Sequence, residues 1–570
     1  MRNYLVVLAL SFLTIACSNE QASNVEANKA SLYFGGDILT MVGDEPIYAQ
    51  ALVEQQGQIV FVGDRSTALA EFENASLIDL QGKALLPGFI DGHGHVHGVG
   101  FQASAANLLP SPDGKGDSVE AIIEILKEYV QNPANGDFIQ SAGWIIGFGY
   151  DDAQLDRYPT AKDLDRVSKD IPIIIVHTSG HLSVVNNKGL QVSGITAASL
   201  DPAGGIIRRQ EGSQQPNGIL EEVAHFQILF PLMGALDDDT QDQMLIKGQQ
   251  AYAGFGYTTA QEGRATADGL EAMIRASKKE KLILDVVAYP DMAGNEKYLA
   301  SEYATHEYLN QFRIAGVKLN LDGSPQGKTA WLTHPYHIAP DGLDTSYKGY
   351  SSFTDGQAAD LVGKAFKNNW QVLVHANGDA AIDQFISSID AATEKYGNTD
   401  RRPVLIHGQT LRKDQIQRLV DLKIFPSLFP MHTFYWGDWH AESVLGHPRA
   451  DFISPTKSVL EAGLMFTSHH DAPVARPNSF RVIDATVNRT TRSGKVLGPE
   501  ERVSVYVALK ALTEWAAYQH FEENNKGTLA MGKVADLIIL DKNPLKVEKS
   551  DLLDVQVMQT IKAGKTVYKQ

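Results

Sequence analysis

Pro87-Gly88-Phe89-Ile90-Asp91-Gly92-His93-Gly94-His95 is a short apolar strand that closes on two histidines one residue apart. Side chains of a strand alternate between faces, so His93 and His95 project together. Two neutral imidazoles on one face form a chelating pair for a divalent metal. Gly92 and Gly94 leave room for an ion and a substrate to approach the backbone. Two histidines in a polar loop would read the same way, so the weight falls on what other strand ends carry.

Four later apolar runs carry polar groups of the right kind. Arg313 to Gly323 holds Lys318 inside a strand, and Trp370 to Gly378 closes on His375. Pro403 to Gly408 closes on His407, and Leu464 to Pro473 closes on Asp471. His375 and His407 lie one βα unit apart, and His407 and Asp471 about two units apart, as in a (β/α)8 barrel. In such a barrel, polar residues at the C-terminal ends of successive strands converge on one site.

The order H-x-H, Lys, His, His, Asp resembles the amidohydrolase superfamily, metal-dependent hydrolases on (β/α)8 barrels. It is most similar to the amidohydrolase-3, YtcJ-like branch. The resemblance rests on Leu86 to His95, on Gly316-Val317-Lys318 with Leu321-Asp322-Gly323, and on Asp471-Ala472-Pro473-Val474. Gly527-Thr528-Leu529 and Gly532 to Leu540 match the closing strands of such enzymes. It covers nearly all of the chain after about residue 28 and is specific for fold and metal, not for substrate.

The resemblance implies one or two divalent ions, zinc being expected, on His93, His95, Lys318, His375, His407 and Asp471. A buried ammonium must be paired, neutral or modified. In the family this lysine reacts with CO2 to form a carbamate that bridges two metals; the alternative for Lys318 is a salt bridge to Asp322 or Asp471. Asp471 is the expected catalytic base, taking a proton from hydroxide formed at the metal and passing it to the leaving nitrogen. His469 is expected to point inward with Asp471, and His470 outward. Weaker substrate-contact candidates are His181, Arg264, His432, Trp436 and His469, each with a plain packing or ion-pair alternative.

The chain has 570 residues, 43% hydrophobic and 21% charged, with a net charge of −18. That balance argues against a nucleic-acid partner, because phosphate contacts need a basic surface. Arg2 and the apolar run Leu5 to Leu13 read as a targeting segment too short to span a bilayer. Thr14-Ile15-Ala16-Cys17 resembles a lipoprotein cleavage box, with Thr14 departing from the usual leucine. It implies a signal peptide over 1–17, lipidation at Cys17, and a tether over 18–29. The expected location is the periplasmic side or surface of a bacterial outer membrane, met through the lipid alone, or otherwise the periplasm. Cys17 is the one cysteine. No disulfide can form within the chain, and the metal site must be built from nitrogen and oxygen. Relatives that use a cysteine ligand, such as D-aminoacylases, are therefore disfavoured.

Residues 30–86 and 527–570 read as short strands, suggesting one β-sandwich made from both ends. The barrel is expected over 87–526, with an insertion at about 100–250 roofing the site. The fold class is α/β, a barrel with a composite β-sandwich. The expected activity is metal-dependent hydrolysis of a non-peptide C–N bond in a small amide, N-acyl, formamide-like or cyclic amide compound. The alternatives are a single-metal deaminase of a ring amine and a non-catalytic metabolite-binding lipoprotein. The expected partner is a small-molecule substrate; a homo-oligomer is compatible with this reading.

Overall fold

The computed structural model describes residues 29–570 apart from 181, 203–204, 293 and 341. The proposed leader, Cys17, the tether up to residue 28, and His181 lie outside the described residues. The chain forms two compact units.

The first unit takes its described residues from the stretch up to Ile90, from Gly256–Thr258 and from Ser504–Gln570. Its centre is an eight-stranded mixed sheet. Ala84–Pro87 runs parallel to Ser31–Leu39 on one side and antiparallel to Leu537–Leu540 on the other. Both ends of the described chain thus share one sheet. The strand period of two sorts its side chains. Leu32, Phe34, Ala51 and Val53 enter one apolar cluster, and Tyr33, Leu52, Leu85 and Leu537 enter the other. Val555 precedes rather than opens a strand, which begins at Val557. Residues 504–526, read from sequence with the barrel, pack in this unit as the helices Val505–Lys510 and Glu514–Gln519 with their connections.

The second unit, Asp91–Phe255 and Thr259–Val503, carries the histidines. Tyr257–Ala265, Asp285–Pro290 and Phe312–Ile314 pair in parallel. Gly316–Asn320, Gln371–Ala376, Val404–His407, Phe425–Leu428 and Thr467–Ser468 form a second parallel series. One parallel bridge, Asp291 to Lys318, links the two series. Helices separate most of the paired strands, as parallel pairing requires. Asp355–Lys367, for example, starts at a Thr354/Gln357 capping box and ends with Lys364 and Lys367 in its last turn.

The insertion builds its own six-stranded sheet from Ala106–Asn107 to Pro216–Glu222. The helix expected from Val119 is present as Val119–Gln131, opened by Ser118 Oγ accepting from Ala121 N–H. Its Ile122 and Leu126 enter a core with Ile145, Ile173 and Ile175. No described helix is long and apolar enough to cross a membrane.

Candidate metal centre

Three of the six residues expected as ligands, Lys318, His375 and His407, lie in or end strands of the second unit; His93 and His95 follow the short strand Phe89–Ile90, and Asp471 follows Thr467–Ser468 by three residues. The backbone draws the first and last together. Asp471 N–H donates to His93 C=O at 3.1 Å, and His95 N–H donates to Ala472 C=O at 2.8 Å. Asp471 and His407 adopt left-handed backbone angles, φ 53° and 74°. Such conformations are uncommon outside glycine and gather at functional sites.

His93, His95 and Asp471 each offer a ligand atom, all within 4.8 Å of one another. Asp471 Oδ1 lies 3.2 Å from His95 Nε2 and 3.5 Å from His93 Nε2. Lys318 Nζ is 2.8 Å from His93 Nε2. His375 Nδ1 and His407 Nε2 face each other at 3.1 Å.

Neighbouring groups decide which nitrogen of each ring carries a proton. Gln261 Nε2 donates to Gly92 C=O at 3.0 Å, which turns Gln261 Oε1 toward His93 Nδ1 at 2.6 Å. His93 Nδ1 therefore donates, and Nε2 keeps a lone pair facing the site. Gly263 permits this approach, since a Cβ there would sit 2.2 Å from His93 Cε1. His375 Nε2 donates to Gly323 C=O at 3.1 Å, leaving a lone pair on Nδ1. A relay orients His407. Ser427 Oγ donates to Gly92 C=O at 3.4 Å and accepts from His469 Nδ1 at 2.9 Å. His469 Nε2 then accepts from His407 Nδ1 at 3.0 Å, so His407 Nε2 also presents a lone pair. Two lone pairs facing each other at 3.1 Å repel unless a cation lies between them. The donor set is neutral imidazole nitrogen with one carboxylate oxygen, as zinc and similar ions prefer. The residues fit a divalent metal.

Electrostatics agree for His93 and His407. Burial, reinforced by the Lys318 charge, holds His93 far below the ordinary histidine range. Burial and the His375 and His469 rings do the same to His407. Both rings are neutral, the form that binds metal. His95 differs: burial would lower it, but the Asp471 and Glu262 carboxylates raise it to about 9. Burial lowers Lys318 to about 7. Lys318 does not pair with Asp322, whose oxygens accept from the Trp331, Asn377 and Gly378 backbone N–H groups. Burial raises Asp91 to about 7, although it accepts from the His93 and Gln261 N–H groups.

The weaker candidates divide. His469 joins the centre through His407. His470 turns instead to Asp91 and stays fully buried against Tyr252 rather than at the surface. His432 and Trp436 pack on Phe429, which packs on the His407 and His469 rings. Arg264 is half exposed and pairs with Asp291 at 2.6 Å, so the ion-pair alternative holds. Sequence reasoning assigned no role to Gln261, Glu262 or Ser427. A buried Gln-Glu pair at the end of an apolar strand was the available signal.

Together with the family match that follows, the site places this chain among the metal-dependent hydrolases that act on carbon–nitrogen bonds other than peptide bonds. The model of the Amidohydrolase family matches residues 76–568, and the chain belongs to that family, in its YtcJ-like branch. A Bacillus subtilis (strain 168) protein named as an amidohydrolase, YtcJ, is 25% identical over 95% of this chain and 99% of its own. The N-substituted formamide deformylase of Arthrobacter pascens is 24% identical over 92% of this chain and 95% of its own. An uncharacterized metal-dependent hydrolase from Pyrococcus horikoshii superposes with a TM-score of 0.73 at 24% identity, covering 92% and 99% of the two chains. That likeness implies an α/β fold of the TIM-barrel type.

Proposed function

We propose that this chain hydrolyses a small amide, with N-substituted formamides and other N-acyl compounds as the first substrates to try and cyclic amides next. The observation that carries the reading is the set of inward lone pairs on His93, His375 and His407 beside Asp471 and Lys318. The similarity to a formamide deformylase supports the substrate class. The reading includes a closed (β/α)8 barrel with a composite β-sandwich. It also includes zinc as the ion and an acyl anchor on Cys17.

A divalent ion held by His93, His95, His375, His407 and Asp471 supplies Lewis acidity and makes water acidic enough to lose a proton near neutral pH. The chain's own groups position and move that proton. Asp471 stands between the His95 and His93 nitrogens and can take a proton and return it to a departing amine. Glu262 holds His95 from its Nδ1 side at 3.5 Å. Lys318, its pKa lowered to about 7 by burial, offers a neutral amine that adds to CO2. The N–C bond forms, one proton leaves, and a carbamate with two oxygen donors results.

Metal analysis of the purified chain with bicarbonate, beside Lys318→Ala, tests this together with amine release from a panel of formamides. About two ions per chain, falling in the variant, supports the carbamate bridge. One ion in both sinks the bridge and favours single-metal chemistry. A metal-loaded chain that releases no amine from any amide sinks the amide reading.

A further inference from the structure

A narrow cleft with a cavity volume of about 10 Å³ lies among Leu109, Asp151, Thr178, Trp436, Arg476 and Arg492. It adjoins the centre along the chain: Val474 N–H donates to Asp471 C=O at 2.9 Å, and Val474 to Arg476 line the cleft. Trp436, which also lines the cleft, reaches the His407 and His469 rings through Phe429.

Arg492 is the unexplained group in this cleft. Its side chain is 18% exposed. Nε and Nη1 are buried with no hydrogen-bond partner. The nearest carboxylate, Asp151 Oδ2, is 3.9 Å from Nη1, near enough to balance charge but too far to accept a hydrogen bond. The Phe434 and Tyr435 rings, at 5.8 and 5.1 Å, support the cation without accepting from its fork. Arg476 differs, because its Nη1 donates to Asp113 C=O at 3.1 Å. Asp113 also accepts from Tyr435 O–H at 2.6 Å. A guanidinium with unfilled donors is expensive to bury, and its planar fork matches a carboxylate.

We infer that Arg492 is a substrate-specificity residue that receives the carboxylate of an amide substrate while the scissile carbonyl sits at the metal centre. The inference rests on the amide-hydrolysis reading and narrows its substrate to amides that carry a carboxylate.

The test uses the metal-loaded full chain and three acids of different length: N-formylglycine, 4-formamidobutanoate and 6-formamidohexanoate, each beside its N-methylamide. Binding is followed by calorimetry and hydrolysis by formate release, in wild type, Arg492→Lys and Arg492→Gln. At least one acid should bind about tenfold to a hundredfold more tightly than its neutral partner. Arg492→Gln should erase that preference while leaving the neutral partner's binding unchanged, and Arg492→Lys should keep part of it. Arg492-dependent binding without formate release would preserve the anion subsite and sink the hydrolysis reading. Formate release with no preference for acids, no binding of any acid, or a preference that survives in Arg492→Gln would overturn the subsite. If Arg492→Gln fails to fold, Arg492→Lys decides: an acid preference equal to the wild type's overturns the assignment.

Discussion

Two groups of histidine and carboxylate side chains in the second unit are close enough to hold a metal: His93, His95 and Asp471, and Asp151, Asp152 and His177. Distance does not separate them; what remains after internal pairing does. In the insertion, Ser179 N–H donates to His177 Nδ1 at 3.1 Å, filling that lone pair. Nε2 faces Asp152 Oδ1 at 2.9 Å. That ring faces Asp152 as an ion pair, and Arg492 stands 3.9 Å from Asp151, where it would oppose a cation. At the centre His93, His375 and His407 have partners behind their rings, so their lone pairs face inward. Proximity makes a cluster, whereas direction makes a site.

The strongest blow to this contrast is Asp471→Asn. It should lower kcat by about 10²- to 10⁴-fold, the range for losing a general acid–base group, and steady-state kinetics on any accepted amide reads it. Gln261→Leu removes only the group behind His93. Metal affinity should weaken about 10- to 100-fold, measured by competition with a chelator. Full affinity in that variant would mean that the proton on His93 is not set from behind.

Lys318 yields a pH-dependent prediction. Its folded pKa, about 7, lies below the ordinary lysine value, so the unfolded chain binds more protons between about 7 and 10.5. Metal-free protein should therefore gain stability as pH rises through that window. Lys318→Met should stabilise the metal-free chain at pH 7 by on the order of a few kcal/mol, and the gain should shrink toward pH 10. Thermal melts of both proteins at pH 7 and 9 check it; a gain that does not shrink contradicts it. The smallest effect is expected in the insertion. Asp152→Asn should leave metal content unchanged and shift stability by no more than about 1 kcal/mol, because the pair is partly exposed. Loss of an ion from that variant would collapse the distinction between the clusters.

The ligands were legible because each lies in, ends or closely follows an apolar strand, and a polar residue there has few structural reasons to exist. Lys318 stood out for the same reason. The supporting groups were not legible. Gln261 acts on His93, and Ser427 on His469, across strands far apart in the chain, so no local pattern marks them. Arg264 read equally as a substrate contact or an ion pair, because Asp291, its partner, follows the next strand and no local pattern joins the two. Arg492 follows the helix Ser479–Val487 in a turn whose sequence resembles any polar loop. His470 was expected outward from strand alternation, but the strand stops at Ser468, and the next residues follow the turn instead. In the first unit, alternation predicted the strands well, because one residue of slip would exchange its two apolar faces.

The shared sheet of the first unit has a consequence for biosynthesis. Leu85 waits for Ile539, a partner that leaves the ribosome only after the whole metal-binding unit has been made. Until then the edge of Ala84–Pro87 is open, and open edges invite pairing with other chains. The metal-binding unit can be completed early, but the chain closes its last edge only at the end of synthesis. A premature stop before Leu537 should therefore leave an aggregation-prone product, even though every metal ligand is already present.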